Sequence, residues 1–186
     1  MLIVGIGHRD GVGKSTAAKI LADLLSTHAE IISFASPIKQ VAEQLFSWAG
    51  LRNEAFYEHI STRHLKDVRL PLIQKSPRDV WIEIGESGRR VASDAWIRQA
   101  FLMAERDVVI IPDVRKRNEA EEILNRGGRL LQVENPRVAE SEGNRVSELR
   151  GFCEWDWRVE NDGTFSDLEK ELQPIAREIL RSVSTQ

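Results

Sequence analysis

A lysine and two hydroxyl residues follow closely spaced glycines near the start of the chain. Backbone N–H groups of such a loop can surround phosphate oxygens, Lys14 can reach the β- and γ-phosphates of a nucleoside triphosphate, and the Ser15 hydroxyl can bind Mg²⁺. The run therefore predicts a P-loop that binds a nucleoside triphosphate with Mg²⁺. Its residues are Asp10, Gly11, Val12, Gly13, Lys14, Ser15 and Thr16.

One position of this loop departs from the full pattern. G-x-x-x-x-G-K-[ST] places its first glycine five residues before Gly13, where this chain has His8, and Gly7 lies one residue too early. Either the loop holds His8 at an ordinary φ, or it is one residue longer and turns at Gly7. The alternative is a chance Gly-Lys-Ser at a strand-to-helix turn, which the flanking sequence disfavours.

The segments on both sides of the loop have the patterns that a P-loop needs. Residues 2–7 are an apolar run of strand length, and residues 14–27 repeat apolar side chains at helical spacing, with Ala17, Ile20 and Leu21 on one face. The order is strand, loop and helix.

A second buried strand is predicted at 107–111, where the run is apolar on both faces and therefore typical of a parallel sheet covered by helices. Asp113 then lies at its carboxyl end, where ligands bind in open α/β sheets. We expect Asp113 to interact with Mg²⁺ or its waters, and the alternative is an N-cap of the next helix. Arg115 could reach across the phosphates.

The middle of the chain is predicted to be mainly helical. Residues 51–74 indicate a loop with short helical pieces, and Ser76 followed by Pro77 and Asp79 predicts a capped helix start. We expect Gly85 and Gly88 to interrupt that helix. In the last helix, Pro174 predicts a kink.

Composition excludes several classes of protein. The 186 residues are 41% hydrophobic and 30% charged with a net charge of -3, which is typical of a globular domain and argues against a surface devoted to nucleic acid. No apolar run approaches membrane-spanning length, and we expect no membrane partner. The single Cys153 fits a reducing compartment, so the cytoplasm is expected. A homodimer is left open.

About five strands alternating with helices predict a three-layer α/β/α P-loop nucleoside triphosphate hydrolase fold with a parallel sheet. We expect one kinase domain over 1–186, with an acceptor-side insertion at about 51–74 and a lid at about 137–150. The lid segment is charged and poor in large apolar side chains.

Motifs that are missing narrow the chemistry. GTPase switches have an Asp-x-x-Gly after the strand that ends near Asp113 and an Asn-Lys-x-Asp motif, and this chain has neither. Val114 rather than glutamate follows Asp113. A small phosphotransferase remains, in which positioning and charge neutralisation perform most of the catalysis. Such an enzyme needs arginines near the phosphates of the donor and of the acceptor. Five candidates are Arg78, Arg89, Arg115, Arg137 and Arg145.

Several short motifs together resemble the bacteriophage-type deoxynucleoside monophosphate kinases. Besides the P-loop, they are Phe34-Ala-Ser-Pro-Ile-Lys39, the stretch 78–96, Ile111-Pro-Asp-Val-Arg115, Arg137, Ser147-Glu148 and Asn161-Asp-Gly-Thr164. The resemblance spans nearly the whole chain in order. It implies that the γ-phosphate of ATP is transferred to a deoxynucleoside monophosphate, with Mg²⁺, to give the diphosphate and ADP. A phage origin would place the protein in the host cytoplasm.

The resemblance also implies roles for single residues. Lys14, Ser15 and Thr16 would hold the ATP phosphates and the metal, with Asp113 as a further metal residue. Lys39, Arg78 and Arg89 would lie towards the monophosphate. Asp113 and Arg115 would sit beside the transferred group, and Arg137 and Arg145 at the lid. Asn161, Gly163 and Thr164 would lie near the adenine. Arg145 stands where the family's His-x-Ser-Glu-like element has histidine.

Two other functions stay open. The Asp-Val-Arg element at 113–115 also resembles kinases of small phosphorylated metabolites such as phosphomevalonate. A non-catalytic protein that senses ATP is the third candidate, but such a protein has no need of the arginines beyond the P-loop.

Overall fold

The structure is a computed structural model, and it describes residues 1–7, 9, 11–138, 148–149, 151 and 155–184. The strands are β1 (Leu2–Gly7), β2 (Ala29–Ile31), β3 (Val108–Val114), β4 (Arg129–Glu134) and β5 (Trp157–Glu160). The helices are α1 (Lys14–Leu25), α2 (Ser36–Phe46), α3 (Glu54–Glu58), α4 (Pro77–Val91), α5 (Ala95–Leu102), α6 (Arg117–Asn125) and α7 (Phe165–Val183). The chain divides into two compact units.

The first unit, called here the sheet unit, consists of Met1–Ser33 and Met103–Gln186. In its described residues, five strands form one parallel sheet in the order β2-β3-β1-β4-β5. β1 and β3 are buried along most of their length, as the two-sided apolar pattern predicts. The prediction of an α/β P-loop fold with a parallel sheet is confirmed.

Helices cover the sheet of this unit because each has one apolar face. The face of α1 with Ala17, Ile20 and Leu21 packs in one core with α7 and the strands. α6 contacts β1 and β4, with Ile123 fully buried. Pro174 lies inside α7, which is assigned as one continuous helix from Phe165 to Val183.

The second unit, the helical unit, is the contiguous segment Phe34–Leu102 and contains α2 to α5. α4 starts as predicted, because Ser76 and Asp79 form a reciprocal capping box. The hydrogen bonds from Ser76 hold the pKa of Asp79 below its usual value. Between residues 51 and 74, α3 and a 3₁₀ turn at Arg63–Asp67 are the predicted short helical pieces.

The predicted interruption of α4 at its glycines is wrong. α4 runs unbroken from Pro77 to Val91, and Trp96 packs so closely on Gly88 that a Cβ there would overlap the indole ring. The indole N–H of Trp96 also donates to the Gly85 carbonyl at 2.8 Å. Gly88 is a packing position that admits an aromatic side chain, and a helix tolerates such a glycine at a cost of about 1 kcal/mol.

Among the described helices, none has both the length and the apolar character that crossing a bilayer requires.

Candidate active site

The P-loop turns at two glycines that adopt left-handed backbone angles. Gly11 has φ 77° and Gly13 has φ 99°, a region that residues with a Cβ enter only at a cost. α1 begins at the next residue, Lys14, so its free N–H groups and positive dipole end face the loop. This is the geometry of an anion site. His8 and Asp10 lie outside the described residues.

Gly7 is not the turning residue of the loop. It is the last residue of β1 and its φ is not left-handed. A Cβ at Gly7 would overlap the Trp155 ring and the Leu149 side chain, which pack on the strand end. Gly7 therefore serves close packing, and the loop turns only after it.

Lys14 is buried, with 7% of its surface exposed, and its ammonium group donates to the carbonyl of Arg9. This bond connects the end of the loop with its start. Ser15 and Thr16, which follow in the first turn of α1, are exposed. Their hydroxyls are accessible to a ligand at the helix N-terminus.

Strand order places Asp113 beside this loop. The connection after β1 runs towards β2, while those after β3 and β4 run the other way, so the carboxyl end of β1 is a topological switch point. Gly7 pairs with Val114, which brings Asp113 next to the start of the loop. The Ser33 hydroxyl donates to Asp113 Oδ2 at 2.6 Å and fixes the carboxylate.

The donor set near the loop fits Mg²⁺. A serine hydroxyl and a single carboxylate are hard oxygen ligands, and Mg²⁺ usually combines one or two such groups with waters and substrate phosphates. Ser15 and Asp113 supply these groups. In the described ranges, no group of three or more His, Cys, Asp or Glu side chains could hold a metal ion. These residues therefore suit a metal ion that is also bound by the phosphate oxygens of a substrate.

Arg115 follows β3 in a segment fixed through its backbone. Glu119, which is 5% exposed, accepts hydrogen bonds from the N–H groups of Arg115 and Lys116, each at 2.9 Å. The Arg115 carbonyl in turn accepts from the N–H of Glu148 at 2.9 Å. The backbone from which the Arg115 side chain extends is therefore held from both sides.

Arg137 is exposed and lies in a turn after β4. Its N–H donates to Asn135 Oδ1 at 2.9 Å, and the N–H of Val138 donates to the Asn135 carbonyl at 3.1 Å. The side chain of Arg9 reaches the same turn. Arg145 and most of the predicted lid, residues 139–147 and 150, lie outside the described residues, as does Cys153.

Asn161 contacts the P-loop directly. Its amide nitrogen donates to the carbonyl of Val12 at 2.9 Å and occupies the space that a Cβ on Gly13 would need. Thr164 is the N-cap of α7 in a capping box with Asp167, and these hydrogen bonds lower the Asp167 pKa to about 2. Gly163 packs against the Asp167 carboxylate. The predicted position of 161–164 near the adenine stays a prediction.

The three predicted acceptor cations all belong to the helical unit, and each is engaged with a different carboxylate. Lys39 Nζ lies 2.5 Å from Glu54 Oε1 and 5.5 Å from the centre of the Trp81 ring. Arg78 pairs with Asp67 through two hydrogen bonds of 2.5 and 3.3 Å, and Arg89 pairs with Glu86 at 2.9 Å. Arg89 also lies across Gly85, beside Ile38 of α2. Their predicted position towards the monophosphate stays a prediction.

Two further residues of this region were not predicted. Arg9 stands at a position that the P-loop pattern leaves unspecified, so the pattern carries no signal for it. Ser33 follows β2, and its position beside Asp113 could be deduced only if β2 were known to neighbour β3. Both depend on long-range pairing.

Comparison with known proteins identifies a relative over nearly the whole chain. No family model matches. A protein of Acanthamoeba polyphaga mimivirus named "Putative deoxynucleotide monophosphate kinase" is 23% identical over 192 residues, which cover 92% of this chain and 94% of that protein. The predicted resemblance is confirmed. This chain is similar to that protein over nearly the whole length of both.

Solved structures similar to this chain include three enzymes. Dephospho-CoA kinase from Campylobacter jejuni is 16% identical with a TM-score of 0.46, covering 97% of both chains. Shikimate kinase from Aquifex aeolicus is 14% identical with a TM-score of 0.47, covering 95% of this chain and 96% of that one. A gluconokinase from Sinorhizobium meliloti is 12% identical with a TM-score of 0.45, covering 100% and 96%.

Proposed function

We propose that the protein transfers the γ-phosphate of ATP to a deoxynucleoside monophosphate, with Mg²⁺, giving the diphosphate and ADP. The observation that carries this proposal is the P-loop at the switch point of the sheet, with Asp113 at the end of the adjacent strand. The name of the mimivirus relative supports a deoxynucleotide monophosphate as the acceptor. We infer that both compact units serve this one reaction.

The donor half of the reaction uses the sheet unit. The loop amides and the N-terminus of α1 bind phosphate oxygens, and Lys14 neutralises charge that grows during transfer. Ser15 and Asp113 would hold Mg²⁺, which would supply further charge neutralisation. Ser33 keeps the Asp113 carboxylate in one orientation. Arg115 and Arg137 extend from backbone that hydrogen bonds fix beside the loop.

The acceptor half is proposed for the helical unit. The side chains of Lys39 and Arg89 are mostly buried, 18% and 23% exposed. A bound phosphate could replace the carboxylates with which these two cations now pair. This unit also contains an apolar cavity of about 650 Å³ lined by residues of α2 and α4 and by Trp96. That volume is in the range of small-molecule sites, but Lys39, Arg78 and Arg89 are not among the residues that line the cavity.

A coupled assay of ADP release tests the proposal. The purified protein is supplied with ATP, Mg²⁺ and, one at a time, each deoxynucleoside monophosphate, each ribonucleoside monophosphate and phosphomevalonate. We expect turnover with one or more deoxynucleoside monophosphates. Turnover with phosphomevalonate alone would assign the protein to metabolite kinases, and no turnover with any nucleoside monophosphate would refute the proposal.

Two lysines of α1 provide matched variants for this assay. Lys14 is buried in the loop, whereas Lys19 is exposed on the same helix. Lys14→Met should abolish ADP release, and Lys19→Met should leave it unchanged. Equal activity in the two variants would show that the measured turnover does not arise at the P-loop.

A further inference from the structure

The side chain of Arg9 leaves the P-loop and reaches the turn that follows β4. Its Nη1 donates to the Val138 carbonyl at 3.2 Å and its Nη2 to the Asn135 carbonyl at 3.3 Å. The third nitrogen, Nε, is buried and has no hydrogen-bond partner among the described residues. The guanidinium is therefore directed into the protein and towards this turn.

The residues that Arg9 contacts are the first and the last of a β-turn, residues 135–138. The N–H of Val138 donates to the Asn135 carbonyl, Pro136 occupies the second position, and the Asn135 side chain accepts from the N–H of Arg137. β-Turns favour asparagine at their first position and proline at their second. Arg9 bonds both ends of the turn, and Arg137 stands between them.

Other contacts connect the same turn with the phosphate-binding residues. The carbonyl of Arg9 accepts the hydrogen bond from the Lys14 ammonium. The Val138 side chain lies 3.5 Å from the position of a Cβ on Gly11, which is ordinary packing distance. One residue thus holds Lys14 with its backbone and the turn with its side chain.

The chemistry of arginine suits this contact. Its planar guanidinium presents parallel donors in a fixed fork, and two carbonyls can accept from them at once. A lysine ammonium is a point donor on a flexible stem and would bond one carbonyl without fixing the turn's orientation.

We propose that Arg9 is a positioning residue that fixes the turn 135–138 against the P-loop and so holds Arg137 beside the phosphates. The inference rests on the proposed function, because the role of Arg137 is to act on the phosphates during phosphoryl transfer. Displacement of a charged group by about 1 Å can lower a rate by about a hundredfold. A direct contact of Arg9 with ATP phosphates would act instead on ATP binding.

A double-mutant cycle separates these two roles. We expect Arg9→Ala to lower kcat about ten- to a hundredfold with little change in the KM for ATP. Arg9→Lys should lower kcat to a similar extent. The double variant with Arg137→Ala should be no slower than Arg137→Ala alone. The control is Arg177→Ala, which removes an exposed charge on α7 and should have no effect.

Two kinetic outcomes would overturn the proposal. Multiplied effects in the double variant would mean that Arg9 does not act through Arg137. A raised KM for ATP with unchanged kcat in Arg9→Ala would mean that Arg9 binds the phosphates itself.

Hydrogen exchange provides a readout that needs no turnover. The amides of Arg137 and Val138 are hydrogen-bonded within the turn, and we expect Arg9→Ala to speed their exchange while Arg177→Ala does not. Unchanged exchange at these amides would overturn the inference even in an active kinase. Faster exchange in a protein that phosphorylates no nucleoside monophosphate would refute the proposed function and leave the contact in place.

Discussion

Replacement of Gly13 by alanine should destabilise the protein for two separable reasons. The φ of 99° at Gly13 lies in the left-handed region, which costs a residue with a Cβ about 1–2 kcal/mol. The new methyl group would also displace the Asn161 amide, whose hydrogen bond to Val12 is worth about 1 kcal/mol. Together the free energy of unfolding should fall by about 2–3 kcal/mol.

The second reason can be removed by a second substitution. Asn161→Ala alone should cost about 1 kcal/mol, because it deletes the hydrogen bond to Val12. The double variant loses that bond only once and has no overlap, so it should be destabilised by about 2–3 kcal/mol, the same as Gly13→Ala alone. The predicted coupling between the two sites is therefore about 1 kcal/mol.

Urea unfolding followed by far-UV circular dichroism and by tryptophan fluorescence measures these values, provided that the two transitions coincide. Gly127→Ala is the matched control, since Gly127 has φ 72° but nothing lies within 4 Å of its Cβ position. It should incur only the backbone cost and show no coupling with Asn161. If the effects of Gly13→Ala and Asn161→Ala simply add, the Asn161 amide does not contact the loop and the reasoning is refuted.

Three further predictions concern catalysis and pH. Lys14→Met should lower kcat at least about a hundredfold while Tm stays nearly constant, and a matching loss of Tm would point to a structural role. Arg78→Ala should raise the KM of the acceptor about tenfold, and Asp67→Asn should lower it by freeing the guanidinium; an unchanged KM in both would make Arg78 a surface charge. Thr164→Val should return the Asp167 pKa from about 2 towards 3.8, as NMR titration would detect. Because the folded pKa is depressed, the stabilisation by this cap is present above pH 3.8 and is lost as pH falls towards 2. The variant should show a weaker pH dependence, since the backbone N–H of residue 164 and Lys170 still favour the ionised carboxylate.

The fold was predictable where a pattern is local and unambiguous. The run 108–111 is apolar on both faces, which already implies a parallel sheet, and Ser76 with Asp79 marks the start of α4. The continuity of α4 was not predictable, because Gly88 weakens a helix locally while Trp96 compensates from a distant position in the chain. Local propensity contains no information about that contact.

The candidate site divides in the same way. The pattern around Lys14 predicts the phosphate loop, but it does not reveal that Asn161 bonds to the loop or that the Arg9 side chain joins the loop to the turn after β4. Those contacts join residues more than a hundred positions apart, so they follow from strand order. Gly7 is the clearest case: its role is to leave space for Trp155, which no spacing rule indicates.

The strand order also decides when each part of the nascent chain can fold. β3 lies between β1 and β2 in the sheet, so β1 and β2 have no neighbouring strand until residues 34–102 have been synthesised. During that time β1, an almost wholly apolar strand, has only α1 to cover it. The helical unit is contiguous and can complete its own core first. The P-loop is therefore made first but can take its final form only after the part of the chain that follows it.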